Sequence, residues 1–163
     1  MAEGKEKILE LLASFDNLML ITHDGATLDA RPMHIAKAED NGDLWFMSGS
    51  DGKITELKKN PGAMVVAQDK NDSWLSICGT VEIVRDQELV KALWQEPYRI
   101  WFSQGPDDPN IRLLRFRAQR GEYWDQRGTN KIQYAFQAAK AYVTGDTPKA
   151  GKEIHDKIGR AHV

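Results

Sequence analysis

The strands that this sequence predicts stand too close together for repeated strand–helix–strand units, and that spacing points to antiparallel pairing. The constraint is sharpest over residues 28–61, LDARPMHIAKAEDNGDLWFMSGSDGKITELKKNP, which reads as strand, turn, strand, polar turn and short helix. The first strand is predicted over 28–37, with Met33 and Ile35 on one face and Arg31 beside them. Asn41-Gly42 is a hairpin signal, because a tight turn needs positive φ and both residues tolerate it. Residues 43–47 return as a strand rich in Leu, Trp and Phe.

Ser48-Gly49-Ser50-Asp51-Gly52-Lys53 then delivers the chain into a helix over 54–59. Two hydroxyls, two glycines that let backbone N–H groups approach closely, a lysine and a helix start together have the chemistry of a phosphate cradle. The same hexapeptide also reads as an ordinary strand-to-helix loop with Ser50 or Asp51 as N-cap, and Asp51 places negative charge in the turn. The nucleotide-binding pattern GxxxxGK[ST] does not occur in the chain.

Around this centre, residues 3–14 form an amphipathic helix with Ile8, Leu11 and Leu12 on one face, and 18–22 a short apolar strand. His23-Asp24-Gly25 turns the chain into the central stretch. Asn60-Pro61-Gly62 stops the short helix, and 63–67 is a buried strand. Residues 73–84 make a long strand whose Gly79 predicts a bulge or a close backbone approach. A helix follows over 86–94, then a Gly/Pro loop over 102–110 and an alternating strand over 111–118. Arg120-Gly121 reads as a turn into 122–125, a final hairpin. A helical pattern returns over 131–143, and residues 146–163 are a polar tail or short helix.

The expected fold is mainly β, a six-stranded antiparallel split β-barrel with flanking helices, in a single domain over 1–145. At 163 residues such a domain can bury a core without disulfides, and the single cysteine fits a reducing, cytoplasmic setting. A net charge of -2 from 22 basic and 24 acidic interspersed residues argues against a nucleic-acid partner. No long apolar run argues for a membrane partner. His23, His34, His155 and His162 make no metal-binding spacing, so no metal is expected. His34 reads as a satisfied sheet histidine and Cys78 as an inert buried thiol. Trp45, Trp74 and Trp101 read as core or interface aromatics.

ARPM on one strand, LWFMSGSDGK leading into ITELKKNP, then SWLSICGTVEIV and finally GEYWD occur in this order and spacing. Together they resemble the general stress protein 26 group of the pyridoxamine 5′-phosphate oxidase-like superfamily, over roughly residues 5–145. The resemblance implies a split barrel that dimerises, with flavin mononucleotide (FMN) in clefts at the dimer interface. Arg31, Pro32 and Met33 match the strand along the flavin ring. Phe46, Met47 and Ser48 match the next strand, whose backbone and hydroxyl contact ring and phosphate. Lys53 matches the phosphate-binding lysine, and Ser50 joins it from the loop. Trp124 matches a tryptophan brought to the flavin from the other subunit. FAD or a deazaflavin would suit the same cleft. Haem would need an axial ligand, for which His34 is the sole candidate.

The sequence also departs from the oxidases. Its Ser/Gly turn is about a residue shorter, so either Met47 or Ser48 stands at the family's threonine position. Gly52 precedes Lys53 where the oxidases carry a second basic residue. Asp125-Gln126-Arg127-Gly128 replaces the Arg-x-His motif that holds pyridoxal phosphate. Oxidation of vitamin B6 is therefore not expected. The resemblance implies a flavin-dependent oxidoreductase acting on a small-molecule substrate, with a stress-related role and catalytic residues unassigned. The alternative is a non-catalytic flavin-binding stress protein acting as reservoir, sensor or interaction module.

Overall fold

The computed structural model describes residues 2–70 and 73–125, so the expected helix over 131–143 and the tail over 146–163 lie outside the described residues. Helix Ala2–Ala13 (α1) is followed by strands Asn17–His23 (β1), Leu28–His34 (β2), Lys37–Ala38 (β3) and Leu44–Ser48 (β4). Helix Gly52–Lys59 (α2) leads to strands Gly62–Gln68 (β5) and Ser73–Val84 (β6). Helix Gln87–Leu93 (α3) and two 3-10 turns, Glu96–Ile100 and Gly105–Asp107, precede the long strand Arg112–Asp125 (β7). These strands form one curled antiparallel sheet in the order β2-β1-β5-β6-β7-β4-β3. The architecture is a mainly β split barrel with three α-helices among the described residues.

The sequence predicts one strand over 28–37, whereas the chain breaks between β2 and β3; the sheet has seven strands among the described residues, where the expected barrel has six. The break is where the barrel closes. Ile35 donates its N–H to the Asp16 carbonyl, just before β1, at 2.9 Å, and Ala36 donates to the Trp45 carbonyl on β4 at 2.8 Å. Consecutive peptide groups thus bond to opposite margins of the sheet. Successive N–H groups of an extended chain point to opposite sides, so this stretch serves the β1 margin with one and β4 with the next.

A second expectation is corrected at the other end. Arg120-Gly121 is no turn, because β7 runs unbroken and pairs with β6 from Val84↔Leu113 to Ser73↔Asp125. The register shifts between Cys78 and Gly79, where Gln119 is the extra residue on β7. A glycine inside a long strand and one in a hairpin turn look alike in sequence, and the long partner β6 decides between them. The 102–110 loop likewise holds a 3-10 turn, with Gly105 at φ 71°.

Local chemistry accounts for the remaining bounds. Asn41-Gly42 turns β3 into β4, with Gly42 at φ 93° and its N–H donating to the Glu39 carbonyl at 2.9 Å. Asp86 caps α3 by accepting the Leu89 N–H at 3.1 Å. Inside the barrel, Ile8 and Leu12 of α1 pack with Leu20, Phe46, Leu75, Ile77 and Phe116, all 2% exposed or less. Each such side chain contributes roughly 1.5–3 kcal/mol by leaving water. The carboxylate of Asp43 is also buried, and it is fully engaged. It accepts Arg115 Nη2 at 3.0 Å and the Ala118 N–H at 3.2 Å, tying the start of β4 to β7.

Gly79 is the tightest backbone position. A Cβ there would run into the Arg117 carbonyl oxygen and lie 2.8 Å from Phe116 Cζ. Gly79→Ala should therefore cost about 1–3 kcal/mol in a urea denaturation series, as overpacking of a bulge. An unchanged midpoint would contradict this close approach of β6 and β7.

Candidate functional site

Below the closure the barrel is split, and the split has two lips. One is β2, carrying Arg31, Pro32 and Met33; the other is β4, carrying Phe46, Met47 and Ser48. The β3–β4 register sets Lys37 opposite Trp45. Continued back across the closure, it would put Met33 opposite Gly49 and Arg31 opposite Asp51. No ladder joins β2 and β4 there, and α2, which packs against β1 and β6, meets β2 through Glu56. Phe46 and Met47 point their side chains into the two cores, at 0% and 7% exposure. Since Trp45 offers its carbonyl to Ala36, strand alternation turns the Met47 peptide groups toward the split as well. Met33 packs half-buried against the main core.

Helix α2 assembles the polar end of this opening. Asp51 caps it, accepting the Lys53 N–H at 3.0 Å through Oδ1 and the Lys53 ammonium at 3.2 Å through Oδ2. The Lys53 side chain is only 8% exposed, whereas Asp51 is 56% exposed. One turn on, Glu56 Oε2 lies 3.8 Å from Arg31 Nη2 and accepts the hydroxyl of buried Thr22 at 3.2 Å. Nothing in the sequence singles out Glu56 and Thr22, which lie 34 residues apart. Arg31 keeps one buried nitrogen, Nη1, with no hydrogen-bond partner among the described residues. A buried guanidinium N–H without an acceptor is costly, and an anionic ligand would satisfy it. The hydroxyl of Ser48 donates to the Gly49 carbonyl at 3.2 Å, and Ser50 is exposed.

Pro32 and Trp124 belong to a different surface, an open groove of ≈ 630 Å³ on the outer face of the sheet. Register explains its lining. Pro32 pairs with Met19, Met19 with Val66 and Val66 with Ser76, while Trp74 pairs with both Gln68 and Trp124. Side chains at these positions leave the barrel in two adjacent rows. Among the described residues, no titratable side chain lines the groove. The next outward row carries Ile21, Met64 and Cys78. Cys78 is therefore half-exposed rather than buried, with Arg120 Nη2 3.8 Å from its sulfur. The nine residues singled out from the sequence thus fall into a cradle at α2, a core-facing strand and an outer groove. Within one chain the cradle and the groove are separate.

Trp45 is buried in the second core and Trp74 lines the groove, while Trp101 is 71% exposed. His34 is held in the sheet end, its Nδ1 3.3 Å from Asn17 Oδ1 and its ring edge-on to Tyr98 at 5.8 Å. No group of three or more metal-ligating side chains occurs among the described residues. None of the described helices is long and apolar enough to cross a membrane.

Comparisons with known proteins converge on one group. A family profile described as pyridoxamine 5′-phosphate oxidase like matches residues 3–149. A general stress FMN/FAD binding protein from Xanthomonas citri is 28% identical, with a TM-score of 0.68 over 79% of this chain and 93% of that one. The general stress protein 26 of Bacillus anthracis str. Sterne is 24% identical, with a TM-score of 0.66 over 73% of this chain and 92% of that one, and it supports the fold. Protein bli-3 of Neurospora crassa is 29% identical over 118 residues, which span 64% of this chain and 56% of that protein.

In the second core, Tyr98 is 5% exposed and its hydroxyl has no hydrogen-bond partner among the described residues. Burial pushes its phenol above the ordinary value, so its contribution to stability is present below that value and is lost as pH rises through the raised one. Tyr98→Phe should leave stability at neutral pH unchanged or raise it by up to about 1 kcal/mol, and should blunt the alkaline loss. A drop of more than about 1.5 kcal/mol in a denaturation midpoint series would show that the hydroxyl is satisfied.

Proposed function

We propose a flavin-binding function from one premise: the chain belongs to the pyridoxamine 5′-phosphate oxidase like family. The observation that carries it is the cradle at α2, where a nearly buried lysine stands at the helix start and Arg31, whose buried Nη1 has no partner among the described residues, meets Glu56 one turn on. These groups fit a phosphate monoester. The ligand is FMN, whose single phosphate matches a single turn, rather than FAD or a deazaflavin. Lys53 and Arg31 hold the phosphate, with Ser48 and Ser50 adding hydrogen bonds once their hydroxyls turn toward it. The Met47 peptide groups face the ring from one lip of the split, and Pro32 and Met33 border it on the other.

Two copies complete the site. The outer face of β1, β5 and β6 presents Met19, Ile21, Met64 and Val66 to solvent, an apolar surface that a second copy would cover. In such a homodimer the flavin cleft lies at the interface, and Trp124 of the partner subunit reaches the ring. The flavin supplies the electron chemistry, while the protein places it and sets its electrostatics. The reading is a flavin-dependent oxidoreductase on a small molecule, in a stress-related, cytoplasmic role. The Asp125–Gly128 departure from the Arg-x-His pattern argues against pyridoxamine phosphate oxidation. One observation favours the second reading, a non-catalytic flavin reservoir, sensor or interaction module. Among the described residues the groove offers no titratable side chain as acid or base.

Lys53→Ala should weaken FMN binding roughly ten- to hundredfold, the loss of one charge-assisted hydrogen bond. Riboflavin, which lacks the phosphate, should bind both proteins alike. The check is a fluorescence-quenching titration, with light scattering reporting two chains per particle. Equal FMN affinity in wild type and variant would remove Lys53 from the phosphate site, and a monomer with bound FMN would remove the shared cleft.

A further inference from the structure

The two cations assigned to the phosphate are each already faced by a carboxylate of α2 or its cap. Lys53 pairs with Asp51 at 3.2 Å, and Arg31 Nη2 lies 3.8 Å from Glu56. A nearly buried ammonium without an anionic partner would be strongly unfavourable, so the ligand-free protein must supply one. Asp51 does so with a single side chain that fills two places a phosphate would take. Oδ2 meets the ammonium and Oδ1 meets the Lys53 N–H at the helix start.

We infer that Asp51 is a built-in stand-in for the phosphate, a carboxylate that holds Lys53 until a phosphate monoester displaces it. The inference rests on the phosphate-site reading above and deepens it, by naming the group that sets the site's affinity for anions. The contrast with Glu56 identifies which carboxylate leaves. Asp51 is 56% exposed and regains its hydration on swinging out, whereas Glu56 is 26% exposed and is held by Thr22. The exchange is favourable in charge, since a phosphate monoester brings about −1.5 to −2 and three strong acceptors against one negative charge. It also keeps the helix capped, because an anion at the first turn satisfies the same N–H groups and the same dipole. Glu56 remains and fixes the orientation of Arg31, leaving Nη1 free for the ligand. The site is therefore selective for phosphate dianions over weaker anions, which cannot outcompete the resident carboxylate.

The test compares wild type with Asp51→Asn and Asp51→Ser, both of which retain an N-cap acceptor. Three probes are used: FMN and riboflavin by fluorescence titration, and inorganic phosphate by the rise it causes in melting temperature. Removing the competing charge should tighten FMN binding roughly fivefold or more, taking the weight of a partly exposed ion pair. It should also enlarge the phosphate-induced rise and leave riboflavin unchanged. Unchanged or weaker FMN and phosphate binding in both variants would overturn the inference, while a wild type that binds FMN would leave the flavin reading standing. If no protein bound FMN yet phosphate stabilised the variants more than wild type, the flavin reading would fall and the stand-in role would hold.

Discussion

The closure at Ile35-Ala36 is the interaction on which the rest of this structure depends. Two successive N–H groups donate in opposite directions, one to the Asp16 carbonyl beside β1 and one to Trp45 on β4. An antiparallel sheet left open would expose unpaired edges along β2 and β3, and pairing both through one short connection removes part of that liability. The closure covers only that point. Beyond it β2 and β4 are not paired, and α2 packs against β1 and β6 with Glu56 reaching Arg31 on β2. The site is thus a consequence of an incomplete barrel: the strands that carry Arg31 and Met47 can face a ligand because they do not pair with each other.

Electrostatics follow from the same geometry. Helix α2 holds Lys53 in near-complete burial and sets Glu56 beside Arg31. Burying cations demands anions, and in the ligand-free chain α2 and its cap supply them from within. Asp51 is the more exposed of the two carboxylates. The arrangement is stable without a ligand and remains poised for an anion of higher charge. The apolar groove around Trp74 and Trp124 is a separate element on the outer face of the sheet. In the proposed homodimer, association of two chains brings the cradle of one and the groove of the other together.

Much of this was legible in the sequence where a residue type has one local use. Asn41-Gly42 located the hairpin, and of the two expected caps, Ser50 and Asp51, it is Asp51 that caps α2. Residues 73–84 read as one long strand, which β6 matches, and Gly79, read as a bulge or a close approach, stands at the register shift. What escaped depends on distant partners. Nothing local distinguishes Ile35-Ala36 from its neighbours, because the strand breaks only where two sheet margins meet. Gly121 looks like a turn until β6 pairs across it. Ser50 and Ser48 were readable as phosphate ligands by type, but their present hydrogen bonding and exposure are set by the loop's path. Cys78 sits among Ile, Leu and Val and looks buried, yet parity puts it on the outer face. Glu56 and Thr22 meet only after β1 and α2 have packed together.

Binding of a phosphate-bearing flavin in the split is tested most directly by the visible absorption spectrum of the purified protein before and after FMN is added. The expected result is a bound-flavin band that survives removal of free ligand at one FMN per chain, with the flavin fluorescence quenched. A protein that remains colourless after gel filtration with excess FMN, and quenches none of its fluorescence, would contradict flavin binding at this site.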